Sequence, residues 1–289
     1  MKTLRENPVL YYHLLGATRH RWKRQPWLYG SAVIGIGAFY LFTLQLVAYN
    51  NPLIDVTLGL SLFVMCIAAP LMAYNLFSSE YEKQTWESLA LTRLTAREIF
   101  WGKWGAALTR VALTTVLLAP FLLTPGRATH YTVVAAFVAL FSWGALLASA
   151  GLWLSFKLKR TLTSAAALYA GQVFALLFFP MLYGIISGGS EPPGFAIRWV
   201  QSYADGFYAW VISLLTGTAI FFLNPFYMAS ELRYLDMPFD WWWGLEDQVA
   251  YIDALSYMLW GYAQAGVYLA LAWLFAGLTY RGLKFSWRK

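Results

Sequence analysis

Long apolar runs constrain this chain more than any other feature of its sequence. Five of them are long enough to cross a membrane, because a helix of about 20 residues spans the hydrocarbon core. These runs cover residues 27–49, 53–77, 104–124, 131–156 and 251–280. A sixth run, 162–187, is interrupted by Gln172 and Pro180 but carries no charge, and membrane helices tolerate proline. The sequence therefore predicts an all-α integral membrane protein with six transmembrane helices.

Charged residues are too scarce for a water-soluble fold of this size. They make up 12% of the 289 residues and hydrophobic residues make up 60%, whereas a typical soluble domain is roughly 25% charged. The net charge of +7 requires no nucleic-acid partner, since basic residues that flank membrane helices account for it. The one cysteine, Cys66, lies within an apolar run and excludes a disulfide within the chain.

The distribution of basic residues predicts the orientation. With six spans, all but four of the 21 Lys and Arg residues fall in 1–26, 78–103, 157–161 or 281–289; the exceptions are Arg110, Arg127, Arg198 and Arg233. Because cytoplasmic loops are enriched in Lys and Arg, both termini are predicted to be cytoplasmic, in a multi-pass protein of the cell (inner) membrane. The chain then divides into an N-terminal cytoplasmic segment, a transmembrane domain, 27–281, and a basic cytoplasmic tail, 282–289.

The segment 207–228 has two interpretations. It is long enough to cross the membrane, but Gly217 interrupts it and Asn224-Pro225 ends it. A single crossing would export the basic tail, against the positive-inside rule. A re-entrant or interfacial hairpin before the sixth span is therefore favoured over a seventh span. The surrounding outer segment, about 188–250, is rich in Trp and Tyr, which suit the headgroup level.

The N-terminal segment is predicted to contain an amphipathic helix. Asn7-Pro8 is typical of a helix start, with asparagine as the cap and proline at the first helical position. The residues from Val9 to Trp22 mix leucines with arginines. Such a helix lies on the cytoplasmic face and anchors the first span.

The loop from Ser78 to Lys103 is the most structured polar stretch. Two capping boxes, each a hydroxyl followed three residues later by glutamate, begin at Ser79 and Thr95 and predict two short helices. Helical spacing divides the first helix into two faces, one with Glu80, Lys83, Gln84 and Glu87, the other with Glu82, Trp86 and Leu89. Lys83 and Glu87 are expected to pair.

This loop resembles the cytoplasmic segment of ABC-2 type transporter permeases. The matching residues are the acidic start at Glu80 and Glu82, the Thr-x-Glu element at Thr85 and Glu87, the leucines Leu89 and Leu91, and the final Gly102-Lys103. The sequence departs from the family pattern at Gln84, where glycine is usual, and at Arg93, where proline is usual. The rest of the chain is compatible with the same family.

The resemblance implies a permease subunit of an ATP-driven exporter whose 79–91 segment acts as a coupling helix. The residues implied to contact a separate cytoplasmic ABC ATPase are Glu80, Glu82, Lys83, Thr85, Trp86, Glu87, Leu89 and Arg93. A second permease copy or a paralogue would complete the transporter. The alternative for this loop is a juxtamembrane helix that only links two spans.

Several motifs are missing from the sequence. No G-x-x-x-x-G-K-[ST] run occurs, so this chain is expected to bind no cofactor, and ATP and Mg would bind in the partner subunit. The spacing of the three histidines favours no metal site. Arg110 lies in the third span, where snorkelling to the cytoplasmic surface is favoured over a functional buried charge.

Three functional classes remain open. The first is the exporter permease, which is not itself an enzyme. The second is an ABC-type membrane subunit that transmits the ATP cycle to an outer-face partner without transport. The third is a membrane-embedded lipid enzyme, which is the weakest because no polar cluster at membrane depth is evident from the sequence.

Overall fold

The computed structural model describes residues 8–12, single positions between 27 and 45, and residues 54–92, 94–123, 130–178, 224–226 and 248–286. The helices are α1 Pro8–Tyr11, α2 Ile54–Ala73, α3 Ser78–Glu82, α4 Trp86–Ala90, α5 Ala96–Leu117, α6 Ala119–Leu123, α7 His130–Leu158, α8 Thr161–Val173 and α9 Gln248–Ser286. A π-helical turn, Phe174–Phe178, extends α8. No strand occurs among the described residues, so this part of the chain is all-α, as predicted.

Four helices are long and apolar enough to cross a membrane. The apolar helical stretches are Thr57–Glu82, which includes α2, the turn after it and α3, together with Val133–Leu158, Thr161–Phe178 and Gly261–Phe285. They correspond to the predicted second, fourth, fifth and sixth spans. This agrees with an α-helical membrane protein. Of the predicted first span, only eleven residues between 27 and 45 are described, and each of them is helical.

The predicted third span forms α5, which begins eight residues earlier than expected and ends at Leu117. It is not among the four apolar helices, and a count of six spans therefore stays a prediction. Arg110 on α5 is partly buried, and its Nη1 donates to the carbonyl of Met72 at 3.3 Å. Because Met72 lies near the end of α2 that leads into α3, the guanidinium points toward that end, the direction that the snorkelling interpretation requires.

α7 is the central helix of the described bundle and contacts α2, α5, α8 and α9. Small residues occupy much of its buried surface: Ala135, Ala136, Ala139, Ser142, Ala145, Ala148 and Ser149. Small side chains allow helix backbones to approach closely in a membrane protein. A Cβ at Gly144 would lie 2.7 Å from Cγ1 of Val111 on α5 and 2.8 Å from Sδ of Met65 on α2. The contact of these three helices therefore depends on a glycine.

Asn224 and Pro225 lie inside the bundle. Asn224 is buried, its Oδ1 accepts a hydrogen bond from the N–H of Phe226 at 3.0 Å, and its carbonyl accepts one from Nε2 of Gln264 on α9 at 3.1 Å. The asparagine thus caps a helical start at Pro225 and is tied to α9. The remainder of the predicted 207–228 hairpin lies outside the described residues.

The N-terminal helix begins at Pro8, as predicted. Val9 is buried, and α1 contacts α5. The predicted amphipathic continuation toward Trp22 lies outside the described residues after Tyr12.

Candidate functional site

The segment 78–95, here named the connector, joins α2 to α5 through two five-residue helices, α3 and α4. Four turn residues, Tyr74 to Phe77, lead from α2 into α3. Ser78 and Ser79 donate through their hydroxyls to the carbonyls of Tyr74 and Asn75 at 2.9 and 2.6 Å. Each serine therefore bonds back to the turn before it instead of capping a new helix.

The capping box predicted at Ser79 is wrong. The helix begins two residues earlier, with Phe77 at its N-cap and no side-chain cap bond, and the carboxylate of Glu82 bonds elsewhere. The box predicted at Thr95 is confirmed. Oγ1 of Thr95 accepts from the N–H of Glu98 at 3.2 Å, and Oε2 of Glu98 accepts from the N–H of Thr95 at 2.9 Å.

The end of α3 is a Schellman motif. The N–H of Thr85 donates to the carbonyl of Glu80 at 2.9 Å, and the N–H of Gln84 donates to that of Tyr81 at 3.2 Å. Gln84 has a φ of 55°, in the left-handed region that this motif usually fills with glycine. The turn separates α3 from α4, so the predicted continuous faces of a single 79–91 helix are wrong. In the described connector Lys83 and Glu87 form no ion pair with each other.

This geometry predicts that Gln84→Gly stabilises the protein. Glycine avoids the steric cost of a left-handed side chain, roughly 1 kcal/mol, although it loses more entropy on folding. We expect the free energy of unfolding to rise by up to about 1 kcal/mol, measured by thermal unfolding in detergent. Gln84→Val should lower it, and a stability ranking with Val above Gly would contradict the assigned turn.

Glu80 faces the bundle. Its Oε1 lies 2.6 Å from Nζ of Lys103, which is fully buried, whereas the Glu80 side chain is 19% exposed. Nζ of Lys103 also donates to the carbonyl of Leu76 and lies 4.2 Å from the centre of the Phe77 ring. These contacts fasten α3 to the first turns of α5.

Lys103 precedes the predicted third span and remains charged at neutral pH. Burial lowers its pKa to about 8, while the charge and the hydrogen bond of Glu80 act in the opposite direction. The ammonium and the carboxylate therefore form an ion pair at pH 7. The sequence alone did not predict Lys103 as a site residue, because its burial depends on α2 and α3.

Glu82 fastens the connector to α8. Its Oε1 accepts from the N–H of Thr161 at 2.7 Å, and both carboxylate oxygens lie within 3.0 Å of the Thr161 hydroxyl. The first N–H groups of a helix lack partners within it, and a carboxylate there is stabilised by the helix dipole. Nζ of Lys159 lies 5.1 Å from the centre of the Tyr81 ring. The turn between α7 and α8 is thus held against α3.

Ser155 on α7 supports the turn that leads into α3. Its Oγ accepts from the N–H groups of Phe77 and Ser78 at 2.9 and 2.8 Å. The ring of Trp86 stacks on that of Tyr81, with centres 4.9 Å apart, and meets that of Phe77 edge-on at 6.1 Å. The second short helix, α4, is therefore held by its tryptophan.

The other implied coupling residues divide into two groups. Trp86 and Leu89 are partly buried and pack against the hydrophobic core, whereas Lys83, Thr85 and Glu87 are exposed. Arg93 lies outside the described residues. Leu91, which was not among the residues implied to contact an ATPase, is 88% exposed.

An apolar cavity of about 430 Å³ lies between α2, α5, α6 and the described residues Gly35 and Tyr40. Two of its hydroxyl groups bond to carbonyls of their own helices: Ser61 donates to the carbonyl of Thr57 at 2.8 Å, and Thr114 donates to that of Arg110 at 3.0 Å. Neither of these two hydroxyls is hydrogen-bonded to a side chain that would act as a base.

No family model and no curated protein matches the chain.

Proposed function

We propose that this chain is the permease subunit of an ABC-2 type exporter, coupled through the connector to a separate cytoplasmic ATPase. One observation carries the proposal. A short polar helix pair is fastened to α5, α7 and α8 by Lys103, Ser155 and Thr161, while its outer face remains exposed. A surface that only linked two spans would not need attachment to three helices.

The proposed mechanism is mechanical. ATP and Mg bind in the partner ATPase, whose closure moves the exposed side of the connector. The Glu80–Lys103 ion pair passes this movement to α5, and the Glu82–Thr161 hydrogen bonds pass it to α8. Because packed elements shift between discrete arrangements and do not deform continuously, a displacement of α3 reorients both helices.

The connector and both termini face the cytoplasm, and the chain lies in the cell membrane. A second copy or a paralogous permease pairs with it. This chain carries no catalytic residue. Its coupling surface consists of Lys83, Thr85, Glu87 and Leu91. Four further residues attach the connector to the helix bundle: Glu80, Glu82, Trp86 and Leu89.

A second candidate is a membrane subunit that transmits the ATP cycle to a partner on the outer face without moving cargo. The bond between Gln264 and the carbonyl of Asn224 favours it, because α9 is thereby linked to the segment that precedes it. Reconstituted vesicles separate the two candidates: an exporter moves substrate during ATP hydrolysis, whereas a transmitter hydrolyses ATP without flux.

Affinity purification in mild detergent tests the shared part of both candidates. We expect a soluble chain with a G-x-x-x-x-G-K-[ST] sequence to copurify in stoichiometric amount. Reproducible purification without such a chain would contradict the proposal.

The double variant Glu87→Lys/Leu91→Ser tests the coupling surface. Both side chains are exposed, so we expect an unchanged fold and at least a tenfold loss of ATPase recovery, since interface hot spots contribute about 2 kcal/mol or more. Glu82 is left in place because it caps α8. The matched control is Thr109→Ala/Leu113→Ala, two exposed positions on α5 away from the connector. Equal ATPase recovery from the two double variants would contradict the assignment.

A further inference from the structure

α5 and α9 form an aromatic groove that the coupling proposal does not use. Trp101 and Trp104 on α5 meet Trp273 on α9, with ring centres 6.2 and 5.3 Å apart. Phe100 meets Tyr280 at 5.5 Å. Trp273 is 59% exposed, although it lies within a helix that is apolar enough to cross a membrane. Its ring therefore lies partly on the outer surface of the helix bundle.

Free space lies beside Gly277 of α9. Gly277 lies one helical turn after Trp273 on the same face of α9, and a Cβ there would meet no heavy atom within 4 Å. This space remains with α1 in place against α5. An apolar chain can pack against Gly277 beside the ring of Trp273.

Three cations lie at the connector end of the groove. The ring contacts show that α5 and α9 run antiparallel, because Trp104 meets Trp273 whereas Phe100 meets Tyr280. This register places Arg97 level with the turn of α9 that carries Arg281 and Lys284. All three are exposed, and none forms an ion pair with a described residue.

The described part of α9 adds no negative charge at this end of the groove. The sequence of α9 contains no Asp or Glu after Asp253. The acidic residue nearest in sequence to Arg97, Glu98, bonds to Thr95, and α1 carries no charge. Arg281 lies eight residues beyond Trp273, about 12 Å along the helix. Cations and rings at this separation match the headgroup and the upper acyl chain of one lipid.

We propose that the α5–α9 groove is a binding site for one anionic phospholipid. Its phosphate and glycerol headgroup contact Arg97, Arg281 and Lys284, and an acyl chain lies over Gly277 beside the ring of Trp273. The charges select an anionic headgroup over a zwitterionic one, and the rings select a lipid over a free phosphate. This site requires membrane insertion but does not depend on an ATPase partner.

Native mass spectrometry of the purified full-length protein tests the site, with phosphatidylglycerol and phosphatidylcholine added separately. We expect one phosphatidylglycerol to bind at least tenfold more tightly than phosphatidylcholine. Each cation near an anionic headgroup contributes about a factor of five, so Arg281→Gln/Lys284→Gln should weaken phosphatidylglycerol binding by about 25-fold. Gly277→Leu fills this free space with the charges intact, and it should weaken binding of the same lipid by at least about fivefold.

The charge-matched control is Lys83→Gln/Lys157→Gln, two exposed lysines at the same end of the bundle, and it should bind phosphatidylglycerol as the wild type does. Equal binding of the two lipids by the wild type would overturn the proposal. So would wild-type affinity in Gly277→Leu. An equal loss in the control would also overturn it, because the attraction would then be diffuse.

Discussion

Replacing Glu80 with glutamine should destabilise the protein by about 3 kcal/mol, because the fully buried Lys103 must then either lose its proton or keep an unpaired charge. The side chain keeps nearly the same size, so the loss reports charge rather than packing. In a thermal unfolding experiment in detergent, we expect the midpoint to fall by roughly 10 °C. Removal of both partners in Glu80→Gln/Lys103→Met should restore much of the loss, since no unpaired charge remains.

The matched control is Glu87→Gln, the same substitution at an exposed position of the connector, which should change stability by less than about 0.5 kcal/mol. Similar midpoints for the two single variants would contradict a stabilising Glu80–Lys103 ion pair between α3 and α5.

The pH dependence provides a second readout of the same ion pair. Lys103 has a pKa of about 8 in the folded protein and about 10.4 in an unfolded chain. The folded state binds fewer protons between these values, so the wild type should gain stability as pH rises from 8 to 10. Without Glu80 the folded pKa falls further, and the gain should begin below pH 8.

Replacing Gly144 with valine should prevent stable assembly of the bundle. Even a single Cβ would lie 2.7 Å from Val111 and 2.8 Å from Met65, and the backbones of α7, α2 and α5 must then separate. Overpacking by one methyl group costs about 1–3 kcal/mol, so Gly144→Ala should lower the free energy of unfolding by a measurable amount. Gly144→Val should give little monodisperse protein in size-exclusion chromatography.

The matched control for this prediction is Gly171→Ala on α8, where a Cβ would meet no heavy atom within 4 Å. Alanine is the better helix former there by roughly 1 kcal/mol, so we expect unchanged or slightly higher stability. Equal yields of folded protein from Gly144→Val and Gly171→Ala would contradict the close contact of α2, α5 and α7 at Gly144.

Local sequence rules succeeded where the interacting groups are a few residues apart. The Thr95–Glu98 box was predicted correctly because both of its hydrogen bonds form within one helical turn. The same rule failed at Ser79, where the hydroxyl bonds back to Asn75 and Glu82 bonds to Thr161. The left-handed turn at Gln84 carried only a weak signal, because glutamine replaces the glycine that would have marked it.

The sequence by itself determined that the chain has apolar helices of membrane length and one charged connector between the second and third predicted spans. These properties depend on composition and on local periodicity. Only the tertiary structure decided which carboxylate contacts which helix. Glu80 and Glu82 are two residues apart and so point about 200° apart around one helix. Their partners Lys103 and Thr161 come from distant parts of the chain, and only packing around α7 brings them to α3.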